Sequence, residues 1–167
     1  GRTDLRNMER VSKDSRRIEA YGTVDEVNSL IGVVRPTGHA DVDEKLRAIQ
    51  NHLHVVQPDF ANPDPDEGDP RVTEDHVDTL ETFIDECEAE LDPLEEFVLP
   101  SGSRPGAKLH HARSVCRRAE RRSVSLSAEQ SINEVAIAYL NRLSDALFVL
   151  ARLTNRREGV TEEHPEY

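Results

Sequence analysis

Apolar residues recur at steps of three and four along five stretches of this chain. This spacing is typical of one face of a helix, and no stretch shows the strict alternation of a strand. The predicted helices run from Glu19 or Thr23 to just before Pro36, and over Asp41–Val56, Thr73–Leu91, Ala107–Arg122 and Asn133–Arg157. The pattern therefore predicts an all-α fold, an antiparallel bundle of four or five helices in one domain spanning residues 1–167.

The segments outside these helices are polar or contain proline and glycine. Residues 1–14 are expected to be irregular, and residues 158–167 a frayed polar tail. Pro58 is expected to end or kink the second helix. The connection from Leu91 to Gly106 is long for neighbouring helices of a bundle and contains a single phenylalanine, Phe97. Taken alone, such a residue is expected to cap the core.

The charge balance limits the partners of the protein. The chain has 33 acidic and 21 basic residues, a net charge of −12, and only three lysines. Because nucleic acids and membrane surfaces are anionic, this balance argues against both as partners. An acidic excess with few lysines indicates solvation in high salt, where screening relieves self-repulsion, so we expect a halophilic source.

The cysteines and the hydropathy of the chain indicate the cellular compartment in which the protein is expected. Cys87 and Cys116 lie on separate predicted helices without a metal-ligand spacing, as expected for small core residues in a reducing compartment. No apolar run approaches the ~20 residues that a membrane helix needs. No signal peptide is recognisable, so a cytoplasmic location is expected.

The fourth predicted helix combines a narrow apolar seam with a row of arginines. Leu109, Ala112, Cys116 and Ala119 form the seam, and beside it lie Arg113, Arg117 and Arg121, each four residues after the last. Like charges at this spacing repel one another. Two interpretations follow: a solvated basic face, or a site for an external anion such as a phosphate or the carboxylates of another helix.

Several familiar sites are absent, and the remaining polar residues are scattered. The chain has no phosphate-binding glycine loop and no Glu-x-x-His pair. His52, His54, His110 and His111 are expected at the surface or an interface, not on a metal. Asp25 and Asn28 on the first helix, and Asn141 and Asp145 on the last, leave two alternatives. They form buried polar pairs that fix helix register, or a polar cleft at one end of the bundle.

Four blocks, taken in order, resemble the PduO-type ATP:cob(I)alamin adenosyltransferases. The blocks are Arg10–Asp14 leading to Glu19–Glu26, Phe97–Gly102, Arg113–Arg121 with its Cys-Arg-Arg-Ala-Glu-Arg core, and Leu140–Asp145. Each block alone is weak, but their joint presence and order cover nearly the whole chain and are specific.

The resemblance implies a reaction and an assembly. The 5′-deoxyadenosyl group of ATP, accompanied by Mg²⁺, would pass to the cobalt of cob(I)alamin with release of triphosphate. The protein would be a homotrimer with each active site between two subunits. A flavin-dependent cobalamin reductase and an adenosylcobalamin-dependent mutase are the implied partners. Because cobalt is the nucleophile, the absence of a nucleophile or an acid–base pair among the motifs is expected.

The resemblance also implies roles for particular residues. Residues 1–18 would be an ATP-binding segment. Phe97 would keep the lower axial ligand off cobalt, and Arg113 would pair with Asp25 across the subunit interface. Together with Arg117 these form the implied catalytic set. The implied ATP contacts are Gly1, Arg2, Lys13, Arg117, Arg118, Glu120, Arg121 and Asn141. No protein ligand to a metal is implied.

One departure from the family pattern stands at the start of the sequence. Gly1-Arg2 continues directly into Thr3-Asp4-Leu5, whereas the family has a glycine-rich loop around the triphosphate. We expect such a loop between Arg2 and Thr3, ordered by nucleotide. If it is missing, the alternative function is a non-catalytic bundle that binds or delivers cobalamin and has a degenerate ATP site.

Overall fold

The computed structural model describes residues 1–167 and confirms the all-α bundle. The helices are α1 (Arg16–Val34), α2 (Ala40–Ala61), α3 (Glu74–Glu88), α4 (Arg104–Ser127) and α5 (Glu134–Arg157), preceded by strands β1 (Arg2–Asp4) and β2 (Arg10–Ser12). No helix of the structure has the length and apolar character needed to cross a membrane.

Successive helices run in opposite directions. Between α4 and α5, Cys116 Sγ donates to the Leu140 carbonyl oxygen, and Ser103 at the start of α4 meets Asn155 near the end of α5. Between α1 and α2, Arg17 reaches the carbonyl oxygen of Phe60. The core between these helices includes both cysteines, as expected. Burial raises the pKa of the Cys87 thiol to about 11 and that of Cys116 further, so neither thiol is reactive at neutral pH.

The irregular N-terminus expected from the sequence is wrong. Strands β1 and β2 pair in antiparallel register, with Thr3 opposite Val11. Each strand has only three residues and a single half-buried position, too short for an alternating pattern to stand out. Residues 2–4 are consecutive in β1, so no glycine-rich loop lies between Arg2 and Thr3, and that expectation is also wrong.

Three helices are longer than predicted because tertiary contacts extend them. α1 begins at Arg16, since Ser15 caps it and the polar Arg17 is buried against Phe60. α2 continues through Pro58 to Ala61, because Phe60 is fully buried. α4 runs from Arg104 to Ser127, three residues earlier and five later than predicted. By contrast, α3 ends at Glu88 instead of Leu91.

The last residues are not a frayed tail. The Val160 N–H donates to the Asn155 carbonyl oxygen at 2.9 Å, and the Leu99 N–H donates to the Glu163 carbonyl oxygen at 2.8 Å. Arg152 on α5 pairs with Glu162 at 3.0 Å. Polarity suggested fraying, but the polar groups of this segment form hydrogen bonds and an ion pair with the rest of the chain.

Candidate active site

A cavity of about 440 Å³ lies between α4, α5 and the connection that joins α3 to α4. We call it the α4–α5 cavity. Its walls are Leu94, Phe97 and Val98 of the connection, Arg113 and Arg117 of α4, and Ser144, Asp145 and Phe148 of α5. The lining residues of α4 and α5 lie in the middle of 24-residue helices. The polar cleft expected at one end of the bundle is therefore misplaced, and it lies midway along the side.

Helix α4 carries its arginines where the sequence pattern predicted. Leu109, Ala112, Cys116 and Ala119 are fully buried, so the residues beside this seam lie at the edge of the core. The helix start is defined by Ser103, whose hydroxyl accepts from the Gly106 N–H at 3.1 Å. Arg113 and Arg117, one turn apart, thus face the same cavity.

Arg117 belongs to a hydrogen-bonded chain of side chains that links α4 to α5. Its Nη1 lies 2.5 Å from Glu120 Oε2, and Asn141 Nδ2 donates to Glu120 Oε1 at 2.9 Å. Glu120 thus orients both a guanidinium and an amide. Asn141 and Asp145 do not form the buried pair considered above, since both are exposed and Asp145 instead accepts from Arg142 at 2.8 Å.

The other basic residues of α4 fall into two groups, those with a carboxylate partner in the chain and those without one. Arg118 pairs with Glu26 and Arg122 with Glu19, so carboxylates of α1 neutralise this side of the helix. Arg121 is exposed and makes no ion pair within the chain. Arg113 also lacks a carboxylate partner, and its buried Nε has no hydrogen-bond acceptor. The cationic face of α4 is therefore neutralised in part only.

Phe97 does not cap the core. Its side chain is 80% exposed, at the edge of the α4–α5 cavity, with the half-buried Phe148 on another wall. An exposed aromatic ring beside a cavity with two arginines provides apolar surface for a flat ligand.

The cavity continues toward the end of α5. A second space of about 440 Å³ shares Leu94, Asp145 and Phe148 with it and extends to Arg152. The wall residues Ser144 and Phe148 were not among the predicted site residues. The available signal was their spacing: Ser144 is three and Phe148 seven residues after Asn141, which places all three on one helix face.

The N-terminal hairpin brings three of the implied ATP contacts together. The Lys13 N–H donates to the Gly1 carbonyl oxygen at 3.1 Å, and the Lys13 stem packs against Gly1. Arg2 is on the adjacent strand and donates to the Arg10 carbonyl oxygen at 2.8 Å. These residues lie beyond the N-terminal end of α1 and make no contact with the α4–α5 cavity within one chain.

Asp25 lies on a different face of the bundle from Arg113. It is exposed on α1 and accepts from Gln57 Nε2 at 2.9 Å. With Asn28, Arg35 and Arg47 it lines a wholly polar cavity of about 440 Å³ between α1 and α2. Within one chain Asp25 and Arg113 therefore do not pair. Asn28 is 6% exposed, and its buried Oδ1 has no partner.

For His110 the expected position at the surface or an interface is wrong, because it is buried inside the chain, while His52 is half-buried. His110 is 2% exposed and packs edge-on against Phe148, behind the cavity wall. Burial and the charge of Arg113 lower its pKa, which favours the neutral imidazole. His52 is half-buried, with Nδ1 3.0 Å from the Tyr139 hydroxyl oxygen. The structure has no group of three or more His, Cys, Asp and Glu side chains arranged to hold a metal ion.

Comparisons with known proteins agree with this architecture. The family model described as cobalamin adenosyltransferase matches residues 1–154. The chain is 43% identical over 156 residues to the corrinoid adenosyltransferase of Bacillus subtilis, covering 90% of this chain and 80% of that relative. It is 44% identical over 161 residues to the cobalamin adenosyltransferase of Cupriavidus metallidurans, covering 95% and 85%.

A solved structure extends the comparison to the whole fold. It is a single-residue variant of the PduO-type ATP:corrinoid adenosyltransferase from Lactobacillus reuteri in complex with cobalamin and ATP. The TM-score is 0.92 and the identity 31%, over 100% of this chain and 95% of that one. The family model and the relatives both cover most of this chain, which therefore belongs to the cobalamin adenosyltransferase family.

Proposed function

We propose that this protein transfers the 5′-deoxyadenosyl group of ATP to the cobalt of cob(I)alamin. Cobalt attacks C5′ of the nucleotide, a cobalt–carbon bond forms, and the bond from C5′ to the triphosphate oxygen breaks. The products are adenosylcobalamin and triphosphate. The electron pair of the new bond comes from cob(I)alamin, and the triphosphate leaves with the pair of the broken bond.

The observation that carries this proposal is the composition of the α4–α5 cavity. It combines Arg113 and Arg117 with the apolar surfaces of Phe97 and Phe148. No Cys, Lys or His side chain lines it. The Ser144 hydroxyl donates to the Asn141 carbonyl oxygen and the Asp145 carboxylate accepts from Arg142, so both polar groups of its α5 wall are already engaged. Such a cavity suits a reaction whose nucleophile belongs to a substrate, with the protein orienting the reactants and stabilising the negative charge of the leaving group.

The nucleotide is assigned to the two neighbouring faces that carry cations. One face is the N-terminal hairpin, with Gly1, Arg2 and Lys13. The other is formed by α4 and α5, and its proposed ATP contacts are Arg117, Arg118, Glu120, Arg121 and Asn141. Support comes from the Arg117–Glu120–Asn141 chain, which fixes an amide and a guanidinium at donor positions. Guanidinium groups bind phosphate oxygens in a bidentate way, so they suit the triphosphate.

Mg²⁺ is proposed to accompany ATP. Magnesium at nucleotide sites is held mainly by phosphate oxygens and water, with at most one or two carboxylates. The absence of a protein cage for a metal in this structure is compatible with that arrangement. Its chemical contribution would be to neutralise charge on the triphosphate.

We propose that the active protein is a homotrimer, with Asp25 of one subunit paired to Arg113 of the next. Two features of the single chain support this assembly. Arg113 has no carboxylate partner within its own chain, and Asp25 accepts only from the uncharged Gln57. Each therefore has a charge available for a second copy of the chain.

Phe97 is proposed to exclude the lower axial ligand of the corrinoid. An axial donor stabilises the more oxidised metal, so excluding it makes reduction to the one-valent state easier. The exposure of the ring supports this role, because it is free to contact a ligand. The reduced cobalt would come from a flavin-dependent cobalamin reductase, and an adenosylcobalamin-dependent mutase would use the product, all in the cytoplasm.

One assay tests the reaction and separates it from the alternative of a non-catalytic cobalamin carrier. The purified protein is mixed with MgATP and chemically reduced cob(I)alamin, and the corrinoid absorbance is followed. Conversion to the adenosylcobalamin spectrum with stoichiometric triphosphate is the expected result. Corrinoid binding without conversion would instead support a carrier with a degenerate ATP site.

A further inference from the structure

The C-terminal residues hold the connection that carries Phe97. The Leu99 N–H donates to the Glu163 carbonyl oxygen at 2.8 Å, and His164 Nδ1 lies 2.8 Å from the Phe97 carbonyl oxygen. Because a carbonyl only accepts, His164 is the donor of the second bond. Residues 160–164, called the C-terminal strap below, thus fix the connection on both sides of Val98.

The strap is itself anchored by an ion pair at the edge of the core. Glu162 accepts from Arg152 Nε at 3.0 and 3.2 Å and from Nη2 at 3.0 Å. The Arg152 side chain is 9% exposed, and Nη2 also donates to the Asp92 carbonyl oxygen at 3.3 Å. A guanidinium fork held in this way has a defined orientation, because little water competes for its donors.

The connection has few other fixed points near Phe97. Between Pro93 and Pro100, the backbone donates one hydrogen bond to the strap, accepts one from the strap and accepts one from the Ser101 hydroxyl. The ring of Phe97 is 80% exposed, so its own packing contributes little to fixing the connection. The backbone position of Phe97 therefore depends on residues that follow α5.

We propose that Glu162 and Arg152 are positioning residues for Phe97. Through the strap they hold the connection so that the α4–α5 cavity is formed before the corrinoid binds. Neither side chain lines the α4–α5 cavity itself. Their effect is to reduce the ordering that the corrinoid has to impose when it binds. This inference rests on the proposed function of Phe97.

The direct test is site-resolved amide hydrogen exchange by NMR on the full chain. Glu162→Gln weakens the anchor, so the Leu99 amide should exchange at least tenfold faster, while amides in the middle of α4 keep their wild-type rates. Glu166→Gln is the matched control, because Glu166 is exposed and makes no hydrogen bond. His164→Ala removes the bond to Phe97 from a side chain that is 44% exposed, so this variant tests the strap even if Glu162→Gln does not fold.

Kinetics on the same variants give the second measurement. The KM for cob(I)alamin should rise at least threefold, while the KM for ATP and the kcat at saturating corrinoid stay within twofold. Unchanged Leu99 exchange in the folded variants would overturn the strap's role in holding the connection. Faster exchange with an unchanged corrinoid KM would overturn the positioning role. A wild-type protein without adenosylation would overturn the proposed function, while the exchange data would still decide whether the strap holds the connection.

Discussion

Asn155 near the end of α5 lies directly against Gly106 in the first turn of α4. A Cβ placed on Gly106 would lie 2.0 Å from Asn155 Oδ1. The same oxygen accepts from the Ser103 N–H at 2.9 Å and from the Ser103 hydroxyl at 3.1 Å, while Nδ2 donates to the Ser101 carbonyl oxygen at 3.0 Å. One amide therefore joins α5 to the start of the arginine-bearing helix.

Gly106→Ala should destabilise the protein, because the added methyl displaces Asn155 from these hydrogen bonds. We expect a loss of about 1–3 kcal/mol in the free energy of unfolding, measured by urea denaturation. Gly22→Ala is the matched control, since nothing lies within 4 Å of a Cβ at that position of α1. There the replacement should stabilise by roughly 0.5–1 kcal/mol. Equal effects at both sites would show that the contact with Asn155 does not matter.

Arg117→Ala and Asn141→Ala should impair the use of ATP more than the binding of corrinoid. A charge-assisted contact with a phosphate is worth about 1.5–3 kcal/mol, which corresponds to roughly 10–150-fold in kcat/KM for ATP. Steady-state kinetics with each substrate varied in turn measures the difference. Arg104→Ala on the same helix is the control, because Arg104 is exposed and its side chain makes no hydrogen bond or ion pair. ATP kinetics at the wild-type level in both site variants would contradict the assignment.

Asp25→Ala and Arg113→Ala should each dissociate the proposed trimer and reduce activity to a similar degree. Removing one member of an ion pair that is desolvated at an interface leaves the other charge unpaired, at a cost of about 3–5 kcal/mol. Sedimentation velocity and adenosylation rates on the same samples provide the measurement. Asp85→Ala on the exposed face of α3 serves as control. A variant of the pair that stays trimeric with full activity would refute the contact.

Phe97→Ala should slow adenosylation strongly when the reaction starts from cob(II)alamin. The loss should be smaller when cobalt is already reduced, because the one-valent ion holds a lower ligand only weakly. Both rates are measured on one preparation, with thermal unfolding to show that the fold survives. Val124→Ala, another exposed apolar residue, is the control. Equal losses of rate from the two starting states would mean that Phe97 only packs against the corrinoid and does not exclude its lower ligand.

His52 should make the stability depend on pH between about 6.5 and 4. Burial, with a smaller effect from His76, lowers its pKa to about 4. In that interval the unfolded chain binds more protons than the folded one, so this contribution is complete above pH 6.5 and is lost as the pH falls toward 4. For a half-buried group we expect on the order of 2 kcal/mol. His52→Gln should reduce the slope in urea titrations, and the exposed His111→Gln should leave it unchanged.

Local periodicity was sufficient to predict the helices and the residues that face their core. Leu109, Ala112, Cys116 and Ala119 are fully buried, and their spacing alone indicated this, because a helix repeats every 3.6 residues whatever surrounds it. The order of the four sequence blocks was sufficient to predict the family. The buried face of a helix depends on residues only a few positions apart, and the family resemblance depends on residue identities. Both kinds of information are present in the sequence.

The tertiary structure decided which charges meet. Arg118 and Glu26 are 92 residues apart, and no local rule links them; the antiparallel packing of α1 on α4 brings them together. The same holds for Arg17, a polar residue that is buried against Phe60, so that α1 starts at an earlier residue than predicted. The strap is the clearest case, because residues 160–164 are held by Arg152 and by the connection near Phe97. Polar composition indicated an unbound tail, whereas an ion pair at the edge of the core and hydrogen bonds to the connection hold the segment in place.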